Sequence, residues 1–145
     1  MVKLYTIGFT KKDARTFFEL LLKNGIRKVI DVRLNNVSQL AGFTKRQDLQ
    51  YFLQAIAGIK YIHAIAFAPT IEMLSDYKRK KIAWKEYETM YINLMKSRVA
   101  ENVIHESELA DSCLLCSEPT PSRCHRRLLA EYLQSRNTSI EIIHL

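Results

Sequence analysis

Nowhere in the 145 residues does a run of about 18 apolar side chains occur, so no membrane-spanning helix is expected. Glycine and proline are scarce, at 4 and 3 residues, which excludes collagen-like repeats and Gly- or Pro-rich linkers. Cysteine occurs 3 times, an odd count that does not suit a disulfide framework. Residues 1–13 carry too few apolar side chains, and charges too early, for a secretory signal. A reducing, cytoplasmic setting is therefore expected. What is present is ordinary globular composition, 48% hydrophobic and 26% charged. A chain of this length buries roughly two-thirds of its unfolded surface, enough for a core without staples. No internal repeat or composition break occurs, so one domain over residues 1–145 is expected.

Acidic residues are the minority, 15 against 22 Lys and Arg, for a net charge of +7. The excess is uneven. Residues 1–85 hold 16 Lys/Arg against 6 Asp/Glu, a balance of +10, and residues 86–145 hold 6 against 9, a balance of −3. Such asymmetry fits a polyanion-binding face, with nucleic acid one candidate partner, and it also fits scattered surface lysines. The densest run, Lys78-Arg79-Lys80-Lys81, reads as the solvated end of a helix and lacks interleaved aromatics.

Apolar strand-like runs alternate with helical patterns along the chain. Val2–Ile7, Lys28–Val32, Ile59–His63, Cys113–Cys116 and Ser139–Leu145 read as five strands. Helices are predicted over Lys11–Asn24 (capped by Thr10), Thr44–Ile56, Pro69–Lys80, Ala83–Arg98 and Cys124–Arg136. Trp84, Tyr87, Tyr91, Leu94 and Met95 repeat at the spacing of a core-facing stripe. The order predicts an α/β sandwich with a mostly parallel central sheet of about five strands.

In open α/β sheets, ligands bind beyond the carboxyl ends of the strands. Three segments there collect polar residues: Thr6-Ile7-Gly8-Phe9-Thr10; Asp31-Val32-Arg33 running on to Asn35, Asn36 and Ser38; and Cys116-Ser117-Glu118 followed by Cys124-His125-Arg126-Arg127. Asp31 and Arg33 share one strand face, with Val32 on the other. A helix starting near Cys124 offers backbone N–H groups to an anion and lowers the pKa of a nearby thiol. In that reading Asp31, Cys116, Glu118 and Cys124 are catalytic candidates, as acid/base groups and nucleophile. Gly8, Arg33, His125, Arg126 and Arg127 are the substrate or anion-binding candidates. In the alternative, the cysteines are buried packing residues, Asp31 and Arg33 an exposed strand-end pair, and Glu118 a turn cap. His63 either joins the site or is a satisfied edge histidine. His105 and His144 have no supporting neighbours.

Three chemistries could use the cysteine segment. A phosphatase-like loop places its arginine six residues after the cysteine, whereas Arg123 follows Cys116 by seven, and Pro119 and Pro121 each remove an amide donor. A metal or redox site could use Cys116, Cys124 and His125, but the spacing is not a usual zinc pattern and no resident metal or cofactor is assigned. An anion pocket built on Arg33, Arg126 and Arg127 is the third. The leading expectation is an enzyme acting on a phosphate-bearing nucleotide or nucleic-acid component. A non-catalytic nucleic-acid-binding or regulatory module, using the basic half, is the rival from another class.

Thr6-Ile7-Gly8, Asp31-Val32-Arg33, Gly42-Phe43, Tyr61-Ile62-His63, and Cys116-Ser117-Glu118 with Cys124-His125-Arg126-Arg127 resemble the family called domain of unknown function 488. The resemblance runs over nearly the whole chain, down to His144-Leu145. It implies a single-domain, Rossmann-like three-layer sandwich and carries over no established activity. Two departures stand out. Phe9 occupies a position where many members carry His or Tyr, and Ala66-Phe67-Ala68-Pro69-Thr70 replaces a common glycine-rich stretch. The second implies a subgroup with its own ligand.

Overall fold

A computed structural model describes residues 1–37 and 42–145. Ser38, one of the polar residues noted after the second strand, lies outside the described residues. Five strands, β1 (Val2–Gly8), β2 (Lys28–Asp31), β3 (Lys60–His63), β4 (Ser112–Cys116) and β5 (Ile140–His144), form one sheet in the order β3-β2-β4-β1-β5. Every pairing is parallel. The helices are α1 (Ala14–Lys23), α2 (Arg46–Ala57), α3 (Ile71–Lys78), α4 (Trp84–Ser97), the single turn α5 (Glu106–Leu109) and α6 (His125–Arg136). Among the described residues, no helix is long and apolar enough to cross a membrane.

Two apolar layers flank the sheet. Phe17, Phe18 and Leu21 of α1 and Leu49 and Leu53 of α2 pack on Tyr5, Ile7, Val29, Cys113 and Leu115. Met73 of α3, Tyr87, Tyr91 and Met95 of α4, and the Leu128–Leu133 stretch of α6 pack on Leu4, Ile30, Val32, Leu114 and Cys116. Strand alternation accounts for the division, since odd and even positions point to opposite faces. The fold is thus a Rossmann-like three-layer sandwich. All five residues of β4 are buried, as suits a central parallel strand covered on both faces.

Helix boundaries differ from the sequence expectation at two instructive places. The first helix begins at Ala14 rather than Lys11, because the Asp13 carboxylate accepts from Thr16 N–H at 2.8 Å and caps it. Lys11, at φ 64°, turns the chain before that cap. The second helix begins at Arg46, Gly42–Thr44 forming a separate 3-10 turn. The brief α5 helix and the 3-10 turn at Ala100–Asn102 carry no periodic apolar pattern long enough to announce them.

The strand order places the site. The chain leaves β1 and β2 through α1 and α2 on one face, and leaves β4 through α6 on the other. The reversal opens a crevice at the carboxyl end of β4. Register then lines up the rim: Gly8 lies beside Cys116, Leu115 beside Asp31, and Asp31 beside His63.

Candidate functional site

The thiol of Cys116 sits at the last residue of β4, on the face covered by α3, α4 and α6. The chain turns away through Ser117 and Glu118, whose backbone N–H groups help to hold the thiol below its ordinary pKa. Cys124 is the N-cap of α6, in extended backbone, and directs its thiol toward Cys116. The Cys124 hydrogen bond, first, and then the two backbone donors and the charge of Arg126 hold the Cys116 thiol below its ordinary pKa, against the opposing effect of burial. Cys124 moves the other way, raised by the hydrogen bond it gives to Cys116 and by burial. Of the two thiols, Cys116 is thus the more acidic. Cys113, on the opposite sheet face and pushed up by burial, takes no part.

Beside this pair, His125 approaches the Val32 carbonyl through Nε2 at 2.7 Å. A carbonyl only accepts, so Nε2 carries the hydrogen. The Cys116 sulfur is 3.7 Å from Nδ1 and 3.9 Å from Nε2. Near-equal distances put the sulfur on the plane that bisects the two nitrogens, away from the in-plane direction of either. The two residues touch without forming a thiol–imidazole hydrogen-bonded dyad. Cys116, Cys124 and His125 are the one set among the described residues whose ligand atoms lie within 4.8 Å of one another in a way that could hold a metal ion. Coordination through Nδ1 needs the ring to turn toward the sulfurs, and the Nε2 bond to Val32 resists that.

Asp31 and Arg33 form a second, interlocked unit. Arg33 donates from Nε to Asp31 Oδ1 and from Nη2 to Oδ2, both at 2.8 Å, and its backbone N–H reaches Oδ1 at 3.1 Å. Tyr61 donates its hydroxyl to Asp31 Oδ2 at 2.6 Å. Burial pushes the Asp31 carboxyl up, but the Arg33 hydrogen bonds and charge, with Tyr61, outweigh it and hold it below the usual range. Arg33 also donates from Nη2 to the Thr44 carbonyl at 2.8 Å and lies over the Phe9 ring at 5.3 Å. Its Nη1, buried, has no hydrogen-bond partner among the described residues. Phe9 is thus the aromatic face that seats this guanidinium. His63 closes the unit through Nε2 to the Arg33 carbonyl at 2.7 Å.

Arg126 lies deeper, fully buried beneath the loop after β4. It donates from Nη1 to the Glu118 carbonyl at 2.6 Å and from Nε to Thr6 Oγ1 at 3.3 Å. Nη2 has no partner, and no carboxylate pairs with Arg126 among the described residues. Having accepted from Arg126, Thr6 can give its one hydroxyl hydrogen to His144 Nδ1, 2.6 Å away. Burial and then the charge of Arg126 lower the His144 pKa. No local pattern marks His144, since its partners are 138 and 18 residues away in sequence.

A cleft of about 310 Å³ opens over Cys116. Five of the nine residues singled out from the sequence line it: Arg33, Cys116, Glu118, Cys124 and His125. The other four do not. Asp31 is enclosed, with both oxygens engaged, and is no free acid or base. Gly8 faces the Glu118 carbonyl, leaving no room for an anion. Arg126 is roofed by that same carbonyl. Arg127 turns outward to Glu131, Glu88 and the Pro121 and Ser122 carbonyls.

In place of these four, the structure brings in an aromatic wall. Trp84 and Tyr87 stack at 5.2 Å and 20°, Tyr77 closes on both at 5.5 and 5.1 Å, and all three line the cleft. The helical spacing of Trp84 and Tyr87 reads as core, and Tyr87 is indeed buried; the wall exists because α3 folds back against α4 at the mouth. Lys78 and Arg123, both exposed, stand at the rim. Pro69 joins them from residues 66–70. That stretch is held by Tyr91 and Arg98, whose side chains bond the carbonyls of Ala66, Phe67 and Ala68.

No curated protein and no solved structure matches the chain at a significant level. The family model described as Domain of unknown function DUF488 matches residues 13–133, which take in the Asp31–Arg33 unit, the aromatic wall and the paired cysteines. The chain belongs to that family.

Proposed function

We propose that this protein is an enzyme acting on a phosphate-bearing nucleotide or nucleic-acid component bound in the cleft above β4. One observation carries the reading: a single recess joins a thiol held below its ordinary pKa, a cationic rim and a stacked aromatic wall. The volume, about 310 Å³, suits a small ligand. A flat base stacks on an aromatic face, and phosphate oxygens take donors from Arg and Lys. In this reading the ring lies along Trp84, while Lys78 and Arg123 hold the phosphate. Arg33 Nη1 supplies a fixed donor, because Asp31 and Phe9 leave its guanidinium one orientation.

Cys116 is then the nucleophile: an S–P bond to the substrate phosphorus forms as the P–O bond to the leaving group breaks, the leaving oxygen departs with a proton from water, and water then breaks the S–P bond. Glu118, exposed at the same rim, takes the proton of the water that releases the product. Cys124, which keeps its hydrogen, holds the thiolate in place. Asp31 and Arg126 are positioning residues, the first acting through Arg33 and the second through the Glu118 carbonyl and the charge it places near Cys116.

The test is ligand binding by the reduced protein, measured as thermal shift and by calorimetry across nucleoside mono- and diphosphates and short oligonucleotides. Binding by at least one of these, weakened in Trp84→Ala and Arg123→Ala and kept in Cys116→Ser, supports the reading. Absence of binding across the whole panel, or binding untouched by both cleft variants, overturns it.

A further inference from the structure

We propose that Cys116 and Cys124 form a redox-active pair, in which a hydroperoxide oxidises Cys116 and Cys124 resolves the product as an intramolecular disulfide. The inference does not depend on which substrate the cleft takes. It starts from placement. Both sulfurs lie within 4.8 Å of each other and line the same cleft, which admits a molecule as small as a peroxide. The third cysteine, Cys113, sits three residues back on β4 and therefore on the other sheet face, packed under α1 and α2. It cannot compete for either sulfur.

Closing a disulfide brings the sulfurs to about 2.05 Å. The movement falls on residues 117–124, a turn outside any helix or strand whose Glu118, Thr120, Ser122 and Arg123 are exposed. Cys124 itself is the N-cap of α6, in extended backbone, so its side chain stands outside the helical ladder and only its carbonyl, accepting from Arg127 N–H at 3.1 Å, is tied to it. The two thiols also divide the labour that such chemistry needs. Thiolate character falls on Cys116, next to two backbone donors and the Arg126 guanidinium, while Cys124 keeps its hydrogen until a sulfenic acid stands beside it.

The step balances. The Cys116 thiolate attacks one oxygen of the peroxide, an S–O bond forms, the O–O bond breaks, and the departing oxygen leaves as an alcohol or water after taking a proton. Cys124 then attacks the oxidised sulfur, an S–S bond forms, the S–O bond breaks, and hydroxide leaves with the Cys124 hydrogen as water. Two thiols lose two electrons and the peroxide gains them. Each round closes the sulfur to other chemistry until a dithiol reductant reopens it.

The experiment is peroxide titration of the reduced full chain in the presence of a chelator and without nucleotide, read by intact mass and by disulfide mapping of peptides. The expected product is lighter by two hydrogens, carries a Cys116–Cys124 linkage, keeps Cys113 free, and reverts with dithiothreitol. Cys124→Ser is expected to stop at a Cys116 sulfenic acid that a 1,3-dione probe traps, and Cys113→Ser to behave as the parent. Three free thiols after peroxide, a linkage through Cys113, or direct passage of Cys116 to sulfinic acid overturns the proposal. Mapping of the unaltered chain decides this even if a variant fails to fold. A negative result beside intact nucleotide binding removes the redox pair alone.

Discussion

The α-carbon of Gly8 lies directly against the carbonyl of Glu118: a methyl built there meets the Glu118 oxygen at 1.6 Å and Arg126 Nη1 at 2.9 Å. The end of β1 is therefore the seat on which the loop after β4 rests. Gly8→Ala must lift that loop, and the obstacle is backbone that cannot swing aside. Overpacking of this kind costs about 2 kcal/mol, equivalent to roughly 5–10 °C in melting temperature. Thermal unfolding of Gly8→Ala beside Gly25→Ala, where nothing lies within 4 Å of the added methyl, separates this clash from the strain of a left-handed glycine (φ +66).

Asp31 links stability to pH. Its carboxyl is held below the usual range in the folded chain, whereas the unfolded value is about 3.9. A depressed carboxylate contributes stability that is fully present above the unfolded pKa and disappears as pH falls through the folded one. Asp31→Asn leaves the Arg33 charge buried without its partner, which costs about 3 kcal/mol near pH 7. Denaturant midpoints of the two proteins should differ at pH 7, begin to converge only below about pH 4, and meet once the pH lies below the folded pKa of Asp31. Equal differences at both pH values would mean that the Asp31–Arg33 pair does not carry the effect.

Cys124 sets the reactivity of Cys116. Removing its hydrogen in Cys124→Ala takes away the largest stabiliser of the Cys116 thiolate, so the pH profile of Cys116 alkylation should move upward. Alkylation near neutral pH should slow as the thiolate fraction falls. Cys124→Ser keeps a donor and should shift less. Iodoacetamide labelling from pH 5 to 10 (~1-unit steps suffice, since a pKa unit is a tenfold change), with site assignment by mass spectrometry, gives the comparison. An unmoved profile in the alanine variant would refute the pairing.

Trp84 separates ligand binding from thiol chemistry. Losing one stacking face costs about 1–3 kcal/mol, so nucleotide affinity in Trp84→Ala should fall roughly 5- to 150-fold. The alkylation profile of Cys116 should stay where it is, because Trp84 takes no part in holding that sulfur. Calorimetry and labelling on the same preparation test both halves.

The rim segments are legible in the sequence because strand ends are local features. A β-branched run that stops at Gly8, and Asp31 and Arg33 two residues apart, follow from periodicity alone. Arg126 and Arg127, both anion-ligand candidates from their place at a helix start, take different directions in the fold. Neighbours in sequence at the start of a helix point about 100° apart, so one guanidinium went under the Glu118 carbonyl and the other out to Glu131. The aromatic stripe of α4 was equally plain, but the stripe faces both core and cleft, and periodicity does not say where a core ends.

The alternation of strands and helices, the apolar character of the β4 segment and the placing of reactive residues at strand ends were written in the chain, since each depends on side chains within a few residues of one another. The tertiary structure alone decided the strand order that sets Cys116 beside Gly8, the capture of Asp31 by Tyr61 across 30 residues, and the contact of Thr6 with His144 across 138. Those contacts arise when two layers of apolar side chains close on one sheet. Which distant polar groups are then trapped together depends on packing, and no local propensity encodes it.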